Sequence, residues 1–119
     1  MIKPVIMAPA GSFESLSAAL RSGADAVYFG VGTLNMRSGA AVNFTESDLT
    51  KVMRLCRAAG VKAYLTLNII IYDNELERVE SLLDAAASAG VDAVIASDLA
   101  VILAARRRGI TVHLSVQAN

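Results

Sequence analysis

Hydrophobic residues recur with two different periods along this chain, and the two periods alternate. Short runs of small and β-branched residues follow glycines at Gly23, Gly60, Gly90 and Gly109. Between these runs, apolar residues lie three or four positions apart, which is the spacing of an amphipathic helix. Glycine is favoured where a helix ends in left-handed backbone conformation, so each glycine marks a junction from helix to strand. The pattern predicts repeated strand–helix units.

The predicted elements alternate strictly along the chain. Strands are expected at about Pro4–Ala8, Asp25–Phe29, Lys62–Asn68, Asp92–Ala96 and Thr111–Gln117. Helices are expected after the capping residue Ser12, after the capping-box sequence Thr45–Asp48, after Asp73, and at Leu99–Arg108. Strict alternation predicts an α/β fold with parallel strands and right-handed crossovers.

Two architectures fit this order: a (βα)4-β5 half of a TIM-type (βα)8 barrel, and a five-stranded doubly wound sheet. The third and fifth strands alternate between apolar residues and polar ones such as Tyr64, Thr66 and His113. A central doubly wound strand is apolar on both faces, so the alternation favours a barrel with a polar lumen. A complete barrel needs about 250 residues. Residues 1–119 are therefore expected to form one domain, the N-terminal part of a longer barrel.

The composition shows an excess of apolar residues and argues against several classes of partner and cross-link. Hydrophobic residues make up 55% of the chain and the mean hydropathy is +0.50, which indicates either an alanine-rich core or a face that meets more protein. The formal net charge is zero, so bulk charge gives no reason to expect nucleic acid or an anionic membrane as partner. A single cysteine, Cys56, excludes an intrachain disulfide and is expected to pack in the core. The N-terminus carries no secretory signal pattern, which favours a cytoplasmic location.

Candidate site residues lie where predicted strands end, because ligands of parallel α/β folds bind at the carboxyl ends of strands. His113 is a candidate proton shuttle on the fifth strand, although a lone histidine is more often structural. Asp98 and Asn68 follow the fourth and third strands as further catalytic candidates, although a cap for the fourth helix is the favoured interpretation of Asp98. The candidate binding residues are Ser12, Asn35, Arg37, Asn43, Ser97, Ser115, Gln117 and Asn119. No metal-ligating motif is present.

Two basic features have competing interpretations. Arg37 and the N-terminus of the first helix at Ser12 together suit an anion, so a small anion-binding domain is one hypothesis. Arg106–Arg108 resembles an RNA-binding patch, but it lies in the last turn of the fourth helix, where cations interact favourably with the helix dipole. This position is at the opposite rim from the strand ends, which favours a structural role.

Five collinear segments resemble one known family. They are "MAPAGSFESLSAALRSGADAVYFG", "LNMRSGAAVNFT", "VKAYLTLNIIIYDNEL", "GVDAVIASDLA" and "VHLSVQAN". Together they are similar to the N-terminal region of the peptidase U32 family, the collagenase-like proteases, over essentially the whole chain. The positions that look characteristic of the family's motifs are Arg37, Asn43, Asn68, Asp98, His113, Gln117 and Asn119.

The resemblance implies either collagenase-type proteolysis or a part in hydroxylation of a tRNA wobble uridine, of a ribosomal RNA cytidine or of ubiquinone. Several members carry an iron–sulfur cluster on four cysteines downstream of the matched region, so no cofactor is expected in this chain itself. The leading hypothesis is the N-terminal barrel segment of a U32 peptidase, incomplete for catalysis by itself. The alternatives are a segment of a U32 RNA hydroxylation protein and a non-catalytic half-barrel that assembles with itself. The expected partners are the remainder of the barrel or a second copy, with a peptide or RNA substrate in the parent protein and no membrane.

Overall fold

A computed structural model describes residues 6–31, 44–67 and 76–114 of the chain. The strands are β1 Met7–Pro9, β2 Ala26–Phe29, β3 Lys62–Leu67, β4 Ala93–Ala96 and β5 Val112–Leu114. The helices are α1 Phe13–Arg21, α2 Leu49–Ala59, α3 Leu76–Ala89 and α4 Leu99–Arg107, and a 3₁₀ turn, Glu46–Asp48, leads directly into α2. The predicted alternation of strands and helices is therefore confirmed. The first strand is Met7–Pro9, and residues 4 and 5 of its predicted range lie outside the described residues. No described helix is long and apolar enough to cross a membrane.

The five strands form one parallel sheet in the order β1-β2-β3-β4-β5. A doubly wound sheet requires a point at which the strand order reverses, and this sheet has none. The doubly wound alternative is therefore wrong for the described residues. Right-handed crossovers that always advance in one direction place every helix on the same face. In agreement, each helix packs against its neighbour in sequence, which makes a single helical layer.

The core lies between this helical layer and one face of the sheet. Burial on β3 alternates, with Ala63, Leu65 and Leu67 fully buried and the residues between them only partly so. Helices contribute buried stripes such as Val52, Met53 and Cys56 on α2. Cys56 packs as a small hydrophobic residue, as predicted, and burial raises the pKa of its thiol. The opposite face of the sheet, which we call the open face, has no described helix against it.

Left-handed glycines end the helices at all four predicted junctions, with φ between +71° and +87°. At Gly60, the N–H of the following Val61 donates to the carbonyl of Cys56 at 2.9 Å. The same reach of five residues recurs at Val91, which donates to Ala86, and at Ile110, which donates to Ala105. These are Schellman-type helix ends, which satisfy the last carbonyls and turn the chain toward the next strand.

Each aspartate two residues after a junction glycine bonds the neighbouring strand. Asp25 accepts from the N–H of Ile6 at 2.8 Å, and Asp92 accepts from the N–H of Ala63 at 2.8 Å. Asp92 also holds Arg57, whose Nη1 and Nη2 each lie 3.1 Å from one of its carboxylate oxygens. We call these contacts the aspartate brackets, because each ties the start of one strand to the strand before it. The sequence pattern predicts both aspartates only as strand residues.

A second ionic contact joins α3 and α4 at the same end of the sheet. Arg108 donates to Glu80 at 2.8 Å and to Asp84 at 2.7 Å, and Arg107 lies 3.5 Å from Glu80. Arg108 is more enclosed than either carboxylate it binds, with 19% of its side chain exposed. Two of the three consecutive arginines are thus engaged by carboxylates of a neighbouring helix, which agrees with their predicted structural role.

The aspartate bracket at Asp92 predicts that its removal destabilises the protein, and the equivalent residue of the β3 repeat provides a control. Asp92→Ala leaves the N–H of Ala63 and the guanidinium of Arg57 without this acceptor, and we expect it to lower the free energy of unfolding by about 1–3 kcal/mol. Lys62→Ala alters the equivalent position in the β3 repeat. Because Lys62 is exposed, this change should alter the free energy of unfolding by less than about 0.5 kcal/mol. Urea denaturation of both variants measures the difference; equal losses would contradict the bracket.

The Glu80 contact predicts a pH dependence. Hydrogen bonding from Arg108 holds the pKa of Glu80 below its ordinary value of 4.5. A carboxylate with a lowered folded-state pKa contributes stability above its unfolded-state pKa, and this stability is lost as the pH falls through the folded-state pKa. Glu80→Gln should therefore destabilise the protein at pH 7, and the difference from wild type should shrink as the pH falls below 4.5. Denaturation at several pH values tests this, with Glu77→Gln on the exposed side of the same helix as control.

Candidate functional site

The open face of the sheet carries two rows of side chains set by the strand register. One row runs across four strands, through Pro9, Tyr28, Tyr64 and Ala93. The second row lies one step nearer the carboxyl ends of the strands and contains Thr66, Ile95 and His113. Since side chains alternate along a strand, the residues of both rows point to the face opposite the helices. The open face is therefore a surface of aromatic rings and hydroxyl groups with one imidazole.

The rings of Tyr64 and His113 meet across the intervening strand β4. Their centroids are 5.0 Å apart and their planes lie at 65°, an edge-to-face arrangement. Tyr64 pairs with Ala93 of β4, whose side chain is a single methyl group and only 1% exposed. The small residue leaves space above β4 for the two rings to come together. Tyr64 thus limits the orientations of the imidazole, while His113 stays exposed overall.

Thr66 fixes the carboxyl end of β3 against β2. Its Oγ1 donates to the carbonyl of Phe29, the last residue of β2, at 3.1 Å. This bond joins two neighbouring strands at the rim where ligands bind in parallel α/β folds. The second row of the open face is therefore held at both sides, by Thr66 on β3 and by the ring contact of His113 on β5.

An aromatic cluster lies behind the same rim. The ring of Phe44 packs edge-on against Phe13 at 4.9 Å and against Phe29 at 5.7 Å. Val31 and Phe44 form an isolated parallel bridge, and Lys51 places its ammonium 4.5 Å from the centre of the Phe13 ring. The two residues that flank positions 32–43 are thereby joined to each other and to the core.

Ser12 and Asp98 both act as helix caps. The Oγ of Ser12 accepts from the N–H of Ser15 at 3.1 Å, while the Oγ of Ser15 accepts from the N–H groups of Gly11 and Ser12. The N–H groups of Gly11, Ser12 and Ser15 are thus used within the chain. Asp98 accepts from the N–H of Ala100 at 2.8 Å, and its neighbour Ser97 is exposed.

The structure covers only part of the predicted site. Of the catalytic candidates, His113 lies on the open face and Asp98 follows β4, but the binding or catalytic role of each stays a prediction. Ser12 and Ser97 are described as well, whereas the following candidates lie outside the described residues: Asn35, Arg37, Asn43, Asn68, Ser115, Gln117 and Asn119. Tyr28 and Ile95, which sequence reasoning did not select, belong to the same surface; strand alternation and register together are the signal that finds them.

The described residues do not suit a metal or an iron–sulfur cluster. Within residues 6–31, 44–67 and 76–114, no three histidine, cysteine, aspartate or glutamate side chains are grouped as metal ligands. A four-cysteine cluster does not fit, because the sequence contains only Cys56 and its thiol is buried beneath α2. The chemistry that this surface itself offers is proton transfer by imidazole and hydrogen bonding by hydroxyl groups.

Comparison with known proteins identifies relatives over the whole chain. The sequence model described as Peptidase family U32 matches residues 11–119. The chain is 53% identical over 114 residues to a collagenase of Porphyromonas gingivalis, covering 96% of this chain and 28% of the relative. It is 43% identical over 119 residues to an uncharacterized protease of Methanocaldococcus jannaschii, covering 100% and 29%. It is 36% identical over 119 residues to tRNA hydroxylation protein P1 of Bacillus subtilis, covering 98% and 28%. The chain thus spans less than a third of the length of these relatives.

The Tyr64–His113 contact predicts a spectroscopic change that isolates one residue. His113 is the single histidine of the sequence, so its ring protons give unambiguous NMR signals. Removing the neighbouring ring by Tyr64→Leu should displace these signals, because an aromatic ring 5.0 Å away shifts nearby protons. Tyr28→Leu on the same face, which has no ring contact with His113 among the described residues, should leave them nearly unchanged. Identical spectra for wild type and Tyr64→Leu would contradict the contact.

Proposed function

Because the chain belongs to the peptidase U32 family, we propose that it forms the first five strands of the catalytic barrel of a collagenase-like peptidase. The open face, which carries His113 beside Tyr64, is the observation on which the proposal depends. The higher identity to the collagenase and the protease than to the hydroxylation protein favours peptide hydrolysis. Complete activity requires the remainder of the barrel.

The strand order supports a barrel. Strands that advance in one direction under a single helical layer bury one face and leave the other for a lumen. Continued in the same sense, eight such strands close into a (βα)8 barrel, and enzymes of that architecture work at the carboxyl ends of the strands. The row of Thr66, Ile95 and His113 lies on the carboxyl side of the open face. The open face would then become part of the wall of the active site.

We assign the proton-transfer role to His113. Hydrolysis of a peptide bond requires removal of a proton from the attacking group and delivery of a proton to the leaving amine, and imidazole performs both near neutral pH. Tyr64 acts as a positioning residue, because its ring edge contacts the imidazole. Asp98 and Asn68, which follow neighbouring strands, are the other proposed catalytic groups.

The remaining candidates suit a peptide substrate. Amide side chains both donate and accept hydrogen bonds, which matches the N–H and C=O groups of a peptide backbone. Arg37 can bind a carboxylate. The proposed substrate-binding residues are Ser12, Asn35, Arg37, Asn43, Ser97, Ser115, Gln117 and Asn119.

A chimeric enzyme tests the proposal. The aligned segment of the Porphyromonas gingivalis collagenase is replaced by this chain, and cleavage of denatured collagen is measured. We expect the chimera to be active and His113→Gln to reduce kcat by about 10²- to 10⁴-fold, the usual contribution of a general acid–base group. Arg54→Gln, which removes an exposed cation on α2, is the matched control and should retain activity.

Two results would contradict this assignment. An active chimera whose activity survives His113→Gln removes His113 from the proton-transfer role. A chimera that fails to cleave collagen favours the alternative function if a second chimera, built on the Bacillus subtilis tRNA hydroxylation protein, restores the modified nucleosides in tRNA from a strain lacking that protein. The observation that supports RNA hydroxylation as the second candidate function is the 36% identity to the Bacillus subtilis protein over 98% of this chain.

A further inference from the structure

Three exposed leucines lie together at the last edge of the sheet. Leu99 and Leu103 are one helical turn apart on α4 and are 67% and 49% exposed, and Leu114 on β5 is 68% exposed. The helix α4 packs on β5, so these side chains belong to one border of the molecule. We call this border the α4–β5 edge. Large apolar side chains are seldom left grouped in water unless another surface covers them.

The internal repeat shows what kind of element covers such a position. Leu67, Ala96 and Leu114 form one row across β3, β4 and β5 on the helix-covered side of the sheet. Leu67 and Ala96 are completely buried, whereas Leu114 is not. Likewise α2 is flanked by α3, and α3 by α4. A next helix in the same layer is therefore the element that would bury Leu114 together with the exposed side of α4.

The backbone of β5 also suits a further strand. The N–H of Val94 donates to the carbonyl of Thr111 at 2.9 Å, which directs Thr111 and His113 toward β4. In a parallel ladder the backbone groups of alternate residues point to opposite sides, so those of Val112 and Leu114 point away from β4. The α4–β5 edge can therefore pair with a further strand and pack against an apolar helix face at the same time.

We propose that the α4–β5 edge is the docking surface for the sixth strand–helix unit of a U32 chain. The proposal rests on the barrel architecture of the proposed function. The chain spans 28% of the Porphyromonas gingivalis collagenase, so relatives contain ample sequence to supply such a unit. The occupant needs an apolar helix face, because the three leucines at this edge bring no charge.

The first strand is a poor substitute partner from a second copy. Ile6 and Ala10 direct their backbone groups toward β2, so Met7 and Pro9 face outward by alternation. Pro9 has no N–H to donate on this outward side. Pairing of β5 with β1 of another copy would therefore lack a ladder bond, which favours a different strand as the occupant.

Thiol labelling tests the docking surface without any assay of activity. Leu103→Cys is introduced into the isolated chain and into the collagenase chimera, and the rate of maleimide labelling is measured in both. We expect labelling to be slower in the chimera by about tenfold or more, because a docked helix must open locally before the thiol reacts. Ala58→Cys, at an exposed position on α2, is the matched control and should label equally in both. Buried Cys56 sets the background in the protein without either substitution.

A thermal unfolding measurement tests the docking surface if the new cysteine disturbs folding of the chimera. Leu103→Asp should lower the thermal unfolding midpoint of the chimera and leave that of the isolated chain nearly unchanged, because only the docked state loses an apolar contact. Equal effects on both proteins, or equal labelling rates, would overturn the proposal.

Other outcomes separate the hypotheses. An isolated chain that sediments as a dimer, with Leu103→Cys protected only at high concentration, would show that a second copy occupies the edge and would also overturn the proposal. A protected thiol in an inactive chimera supports docking and counts only against the peptidase assignment. An active chimera with an unprotected thiol counts only against docking.

Discussion

One-sided burial is the constraint on which this structure depends. Each crossover moves one strand onward in the same direction, so all described helices cover the same face of the sheet. The strands must then be apolar on alternate residues only, which is why β3 buries Ala63, Leu65 and Leu67 completely and the residues between them only partly. The polar face, the placement of His113 and Tyr64, and the unpaired border at α4 and β5 all follow from that single geometric fact.

Sequence reasoning succeeds where the determinants are local. The glycine junctions, the cap at Ser12, the role of Cys56 and the alternation of strands and helices depend on a few adjacent residues, and each is confirmed. The strand order is not determined by such local patterns, because crossovers of either architecture have the same local sequence. The half-barrel remains a proposal, since the described strands do not close on themselves.

Contacts between residues that are distant in the sequence cannot be predicted from local patterns. The bonds from Asp92 to Ala63 and from Asp25 to Ile6 require knowledge of which strands are neighbours, although the repeated spacing from glycine to aspartate was visible. The edge-to-face contact of Tyr64 and His113 crosses a whole strand and depends on the small size of Ala93. Strand register, which no short pattern encodes, determines both.

The aspartate brackets and the Arg108 contacts share one end of the sheet, the end where strands begin and helices finish. The imidazole of His113 and the hydroxyl group of Thr66 lie toward the other end. The ionic contacts between adjacent units and the groups that we propose for a ligand therefore lie at opposite rims. Residues at the carboxyl rim can therefore change in evolution while the ionic contacts that hold adjacent units together stay intact. A family that contains both proteases and RNA-modifying proteins is what such a division of labour permits.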